Sequence, residues 1–262
     1  MAHILKWMVR FLPEFTDLAW IPRSLKHTVT EMIEAANSRF RSFNRDAADY
    51  VLRTVRGLGR TRILELGAGA APLSRMLGAR SDAEGLELVP SDRTPDRASF
   101  QELVAHYPGR VNPCFEPVDF AQDSEPDSTA VAVFLSTFHH LPEPLRVEVL
   151  KRFTSRGIPV VILEALRPDV ASFFLCLTGF IGGIRLPFAM LDRPGKLRRF
   201  FWCWFVPAVP VIIVWDGVVS VLRLWNEAQW RTAHAALQDT DVELEVEEGA
   251  CVQFVRFTPR RV

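Results

Sequence analysis

The stretch Ile63–Ala71, Ile-Leu-Glu-Leu-Gly-Ala-Gly-Ala-Ala, constrains the fold more than any other part of this 262-residue chain. Apolar residues run into an acid, Glu65, then into two glycines one residue apart, then into a stretch carrying Leu73, Met76 and Leu77 at helical spacing. That order predicts a buried strand, a tight turn and a helix start. Gly67 and Gly69 tolerate positive φ and place no Cβ against a ligand lying on the turn. The unpaired N–H groups of a helix entrance suit a polar ligand there.

Downstream the same alternation repeats. Short apolar strands are expected around Gly85–Pro90, Asn112–Val118, Ala130–Leu135 and Ile158–Leu163, with helical stretches after Thr94-Pro95 and over Pro144–Thr154. Strands and helices alternating at this spacing call for a parallel sheet with right-handed crossovers. Near the end, Trp230, Ala233, His234 and Leu237 share a helical face. Val242, Leu244 and Val246 then alternate with Glu243, Glu245 and Glu247, and a turn at Glu248-Gly249 leads to a last strand, Cys251–Phe257. Upstream, Thr28–Phe43 and Asp46–Val55 read as helices covering one side of the first strand.

Ligands of open α/β sheets bind outside the carboxyl ends of the strands. Five consecutive expected strands bring polar groups to that edge: Glu65, then Glu87 or Asp92, then Asp119, then Ser136 to His140, then Glu164. A dinucleotide turn of the form Gly-x-Gly-x-x-Gly wants a third glycine where this chain has Pro72. Glu-x-Gly-x-Gly, from Glu65 to Gly69, resembles instead motif I of the class I S-adenosylmethionine (SAM) dependent methyltransferases. Ala71 stands where that motif usually ends in glycine, and the likeness extends from about Arg62 to Phe257 with one long interruption.

The resemblance implies an α/β, Rossmann-like, seven-stranded, mostly parallel sheet with a C-terminal antiparallel hairpin. It also implies a methyltransferase domain at 59–262, preceded by a helical extension at 1–58. It implies SAM as cofactor, with Glu65, Gly67, Ala68 and Gly69 near the methionine part. An acid after the second strand would bind the ribose; Asp92 is preferred to Glu87, although Glu87 has the more usual spacing. Asp119, Phe120 and Ser136 complete the cofactor set, Asp119 and Phe120 at the adenine. Methyl transfer needs a base only when the acceptor carries a proton, and His139 or His140 stands where such a base belongs. A turn-fixing role for these histidines competes with that reading. Glu164 is a candidate acceptor-binding group.

The interruption, 166–225, holds two uncharged apolar blocks, Val170–Ile184 and Phe200–Trp215. Each falls short of the ~20 residues a spanning helix needs, and Pro207 and Pro210 break the second. The expectation is an apolar helical lid, with peripheral contact to a membrane as the other use of such a segment. Within it Asp216, Ser220 and Arg223 recur at i, i+4 and i+7, so they share a helix face and are candidates to orient a substrate.

Acidic and basic residues balance at 31 each, which gives no field for nucleic acid. Cys114, Cys176, Cys203 and Cys251 stand far apart with no histidine cluster nearby, so neither a metal site nor a disulfide framework is expected, and a reducing cytoplasm fits. Lys6 and Arg10 interrupt Met1–Leu12 too often for a signal-peptide core; a short amphipathic helix suits it better. The expected activity is methyl transfer to an apolar small molecule, a lipid or a hydrophobic natural product. The rivals are an NAD(P)-dependent oxidoreductase, which Pro72 disfavours, and a non-catalytic membrane-surface protein that keeps the fold.

Overall fold

The structure, a computed structural model, describes residues 12–18, 20–37, 41–120, 129–237, 241–249 and 251–260. The helix expected at Met1–Leu12 thus lies, apart from Leu12, outside the described residues. In chain order the elements are α1 (Arg23–Asn37), α2 (Arg41–Gly57), β1 (Arg62–Leu66), α3 (Pro72–Gly78), β2 (Glu87–Ser91), α4 (Arg97–His106), β3 (Ala130–Leu135), α5 (Glu143–Thr154) and β4 (Val160–Glu164). They continue with α6 (Val170–Ala189), α7 (Lys196–Phe200), a π turn (Phe201–Phe205), α8 (Ala208–Arg223), α9 (Glu227–Ala235), β5 (Val242–Glu248) and β6 (Gln253–Pro259). These elements build two compact units. One is drawn from Ser42–Ala165 and Trp225–Val262, the other from Met1–Arg41 and Leu166–Leu224.

The first is a sheet unit. Its strands lie in the order β2-β1-β3-β4-β6-β5, parallel except for β6, which runs antiparallel between β4 and β5. β3 and β4 are buried on both faces, as their unbroken apolar runs require. Their side chains alternate: Val131, Val133, Val161 and Leu163 meet Val51 and Val55 of α2, Leu73 and Leu77 of α3, and Phe100 and Leu103 of α4. Ala132, Phe134, Val160 and Ile162 face the other way, onto Val149, Leu150 and Phe153 of α5 and Trp230 of α9. The sheet is therefore a middle layer with helices on both sides.

Among the described residues the sheet has six strands, not the seven expected. The missing one is Asn112–Val118, which follows β2 as an extended edge segment with a single parallel bridge, Leu88 to Val111. Leu88 N–H donates to Arg110 O (2.8 Å) and Asn112 N–H donates back to Leu88 O (2.8 Å). Beyond that the exchange is one-sided: Cys114 N–H reaches Pro90 O (2.9 Å), but Pro90 has no N–H to return. The apolar pattern on one strand does not reveal that its neighbour lacks a donor.

The second unit is helical. α1 packs Leu25, Val29 and Met32 against Met190, Cys203, Val209 and Ile212, so of the two helices expected to cover the first strand, the first belongs to this unit and α2 to the sheet unit. α6 starts at Asp169, whose carboxylate caps Ser172 N–H (2.7 Å). It then runs along α8 at close range. A Cβ on Gly183 would stand 3.0 Å from Pro210 Cα, and one on Gly179 would stand 3.1 Å from Ile213 Cγ2, so this pair of glycines sets the approach. Glu31 of α1 accepts from Arg198 of α7 (2.7 Å). The fully buried Arg199 holds the carbonyls of Met190, Arg193 and Pro194 at 2.6–2.9 Å. No single described helix is long and apolar enough to cross a membrane; Lys196–Phe205 and Ala208–Arg223 meet that length and composition only as a pair bent by 73°.

Candidate active site

The turn after β1 is built by its own backbone. Gly67 (φ 64°), Gly69 (φ 53°) and Ala71 (φ 56°) all lie in the left-handed region, and Pro72 then opens α3 at a position that needs no N–H. Holding Ala71 there, as a residue with a Cβ, marks a turn over-determined by its surroundings. A Cβ on Gly69 would meet open space, whereas one on Gly67 would press on Thr137 at 3.2 Å. Thr137 in turn donates to Leu66 O (3.2 Å), which ties the loop after β3 to the glycine turn.

Glu65 is buried beneath this turn. Ala71, at the N-cap of α3, has no side-chain acceptor, and Glu65 supplies one from β1 instead. Its carboxylate accepts from Leu73 N–H (3.0 Å), Ser74 N–H (2.8 Å) and the Ser74 hydroxyl (2.6 Å). Burial pushes its carboxyl up to about 7, against the hydrogen bonds from Ser74 and Leu73, which act to lower it. These contacts of Glu65 order the loop and the start of α3.

Asp92 follows the last residue of β2 and reaches across to the turn. Its Oδ2 accepts from Gly69 N–H (2.8 Å) and its Oδ1 from Thr94 N–H (2.8 Å). Glu87, the alternative, is the first residue of β2 and so lies at the opposite edge, beside Arg62 (3.3 Å) and Asn112 (2.9 Å). Asp119 is joined to the Asp92 side through its neighbour, since Val118 N–H donates to Asp92 O (2.9 Å). Phe120 is buried with its ring edge-on to Phe134 at 5.4 Å, so it packs in the core. Ser136 holds a left-handed backbone (φ 52°) at the end of β3, its N–H bonded to Leu163 O (2.7 Å).

Two candidates that are 25 residues apart in sequence meet directly. His139 Nδ1 lies 3.0 Å from Glu164 Oε2, and both side chains are buried. β3 and β4 are sheet neighbours, which brings the turn after one to the carboxyl end of the other. His140 is exposed and stacks beside His139, ring centres 4.5 Å apart. Arg146, which the sequence reading passed over, clamps this turn: its Nη2 donates to His139 O (2.6 Å) and its Nε to Leu141 O (2.9 Å), over the Trp225 ring. The available signal was a lone arginine on the apolar face of α5 formed by Val149, Leu150 and Phe153.

Asp216, Ser220 and Arg223 do share one face of α8, but in the helical unit that face is taken up by the chain's own segment. Asp216 accepts from Phe15 N–H (2.7 Å), Thr16 N–H (3.2 Å) and the Thr16 hydroxyl (2.9 Å), and burial holds its carboxyl above the ordinary range. Ser220 donates to Glu14 (3.1 Å), and Arg223 to Glu14 (3.4 Å) and Leu12 O (2.7 Å). These groups form an internal clamp. The cavity described, about 240 Å³, lies at the amino edge of the sheet among Leu58–Thr61, Thr129, Pro159, Thr258 and Pro259, away from every candidate residue.

No family model and no curated protein matches the sequence. Solved structures do match the fold. Human N-acetylserotonin methyltransferase in complex with SAM superposes with a TM-score of 0.51 at 13% identity, over 90% of this chain and 57% of that one. The SAM-dependent methyltransferase SibL gives 0.51 at 14% identity, over 85% and 57%. The small RNA methyltransferase HEN1 gives 0.50 at 13%, over 83% of this chain but 25% of its own. This chain thus spans a quarter to somewhat over half the length of these three proteins. The fold is that of the class I SAM-dependent methyltransferases.

Proposed function

We propose that this chain binds SAM at the Gly67–Ala71 turn and transfers its methyl group to an apolar small molecule, lipid or hydrophobic natural product. The carrying observation is that one sheet edge holds both the glycine turn, fastened to Asp92, and the His139–Glu164 pair. The cradle fits such a cofactor: space is open where a Cβ on Gly69 would stand, and Asp92 sits at the carboxyl end of β2, where a ribose would be held. SAM, when bound, supplies an electrophilic methyl on a sulfonium.

The protein's part is to align donor and acceptor and to manage one proton. Glu164 fixes the His139 ring through Nδ1, so Nε2 is the atom that takes the proton from an acceptor hydroxyl. Arg146 holds the backbone of that turn in place. The aliphatic and aromatic character of the helical unit, joined to the sheet unit just after β4, supports an apolar acceptor. The balanced charge supports a small molecule over RNA, although one structural neighbour is a small RNA methyltransferase by name.

Titration calorimetry with SAM, S-adenosylhomocysteine and NAD tests the donor. Binding of the first two and not of NAD is expected; the reverse establishes the oxidoreductase reading. Mass spectrometry of cell extracts incubated with labelled SAM then identifies the acceptor. Labelled product confined to RNA would overturn the small-molecule assignment, and donor binding without any labelled product would favour a non-catalytic protein.

A further inference from the structure

We propose that the α6–α7 end of the helical unit, with its π turn, seats on the surface of an anionic lipid bilayer. Every large apolar side chain that stays exposed among the described residues belongs to the helical unit. At this end they are dense: Phe188, Leu191, Leu197, Phe201, Trp204 and Phe205, with Leu197 80% and Phe205 82% exposed. Rings gather there in two groups: Phe188 contacts Phe200 and Trp204 (ring centres 5.0 and 5.4 Å), and Phe201 stacks on Phe205 (5.8 Å). Soluble surfaces rarely leave so many neighbouring large apolar side chains bare.

The rim of the patch says what covers it. Arg185, Arg193 and Lys196, close in sequence to these rings, are exposed, and no described side chain pairs with them. Asp192 is the one acid between Arg185 and Phe205. A second copy of the chain, docked through the same face by two-fold symmetry, would bring these cations against each other. Anionic headgroups supply the opposite charge while the acyl boundary receives the aromatic and leucine side chains, and Trp204 suits the boundary itself. The packing behind the patch agrees. Gly179 and Gly183 allow the close α6–α8 approach typical of helices in lipid, and Lys196–Phe205 meets Ala208–Arg223 at a 73° bend.

Flotation of the full-length protein with vesicles tests the assignment, using phosphatidylcholine alone and phosphatidylcholine with phosphatidylglycerol. Flotation with the anionic vesicles at low salt, and little with the neutral ones, is expected. Arg193→Glu with Lys196→Glu should weaken partitioning by on the order of tenfold or more. Leu197→Ser with Phe205→Ser, at positions too exposed to support the core, should do the same with an unchanged near-ultraviolet circular dichroism spectrum. A parent protein that floats with neither vesicle would overturn the proposal. So would a dimer that the serine pair converts to monomer in sedimentation, which would make a second copy the occupant. Membrane protein that resists carbonate and high salt would replace surface seating by spanning.

Discussion

The two units use the same apolar alphabet to opposite ends. In the sheet unit, β3 and β4 are sealed on both faces and the helices beside them turn their apolar sides inward. The helical unit has a core too, around Met32, Val209 and Ile212, yet leaves Val170, Phe174 and Ile181 of α6 exposed along with the aromatic end. Hydrophobicity read along a sequence therefore does not separate a core from a docking face. Period and neighbours do: a central strand has partners on both sides, whereas a helix can bury one side and spare the other.

The division of labour can be attacked from either side. The largest effect is expected for Gly67→Val, which forces a β-branched residue to φ 64° with its Cβ 3.2 Å from Thr137. Calorimetry should detect no SAM binding, while vesicle flotation through the helical unit persists. If both are lost, the units are not independent. His139→Ala should follow, lowering methyl transfer by about 10²–10⁴-fold with SAM affinity unchanged. Glu164→Gln should retain part of the rate, because it keeps a hydrogen-bond partner for the ring. Loss of affinity in place of rate would make His139 a scaffold residue.

Asp92→Ala should weaken SAM by roughly tenfold or more, the cost of about 1.5–3 kcal/mol for a charge-assisted bond. Glu87→Ala, at the far edge, should leave the dissociation constant alone, and the converse result would move the ribose role to Glu87. Asp216→Ala probes the other unit. It strips three donors of their acceptor, worth about 1–3 kcal/mol, and hydrogen exchange should rise at Phe15 and Thr16 with donor binding preserved.

The last effect concerns pH. Glu65 is shifted from 4.5 to about 7 in the folded state, so the native protein holds a proton that the unfolded chain has released. Its stabilising share is complete below pH 4.5 and is lost as pH rises through about 7. Denaturant titrations of Glu65→Gln against the parent should show this slope flattened in that window.

Much of the sheet unit was legible in the sequence, for a physical reason. Buried parallel strands are unbroken apolar runs, and Ala130–Leu135 and the stretch around Ile158–Leu163, observed as Val160–Glu164, announce themselves that way. The glycine turn and the acids at strand ends follow from local chemistry. What escaped the sequence depends on partners distant along the chain. Asn112–Val118 loses its ladder to Pro90 on the neighbouring strand. The helix-face spacing of Asp216, Ser220 and Arg223 was legible, but what they bind lies about 200 residues upstream. His139 and Glu164 were each suspected, yet only strand adjacency makes them a pair. Arg146 looked like an ordinary helix arginine.

The clamp between Asp216 and Phe15 also sets a schedule for synthesis. Its two ends are 201 residues apart. At ribosomal rates of roughly 5–20 residues per second, the first end leaves the tunnel some 10–40 s before the second. For most of that interval Leu25, Val29 and Met32 of α1 lack the part of their core that Met190, Val209 and Ile212 supply. The sheet unit waits as well, since β6, the strand between β4 and β5, is translated last. The apolar face of α1 therefore stays without its full core until the far part of the chain arrives.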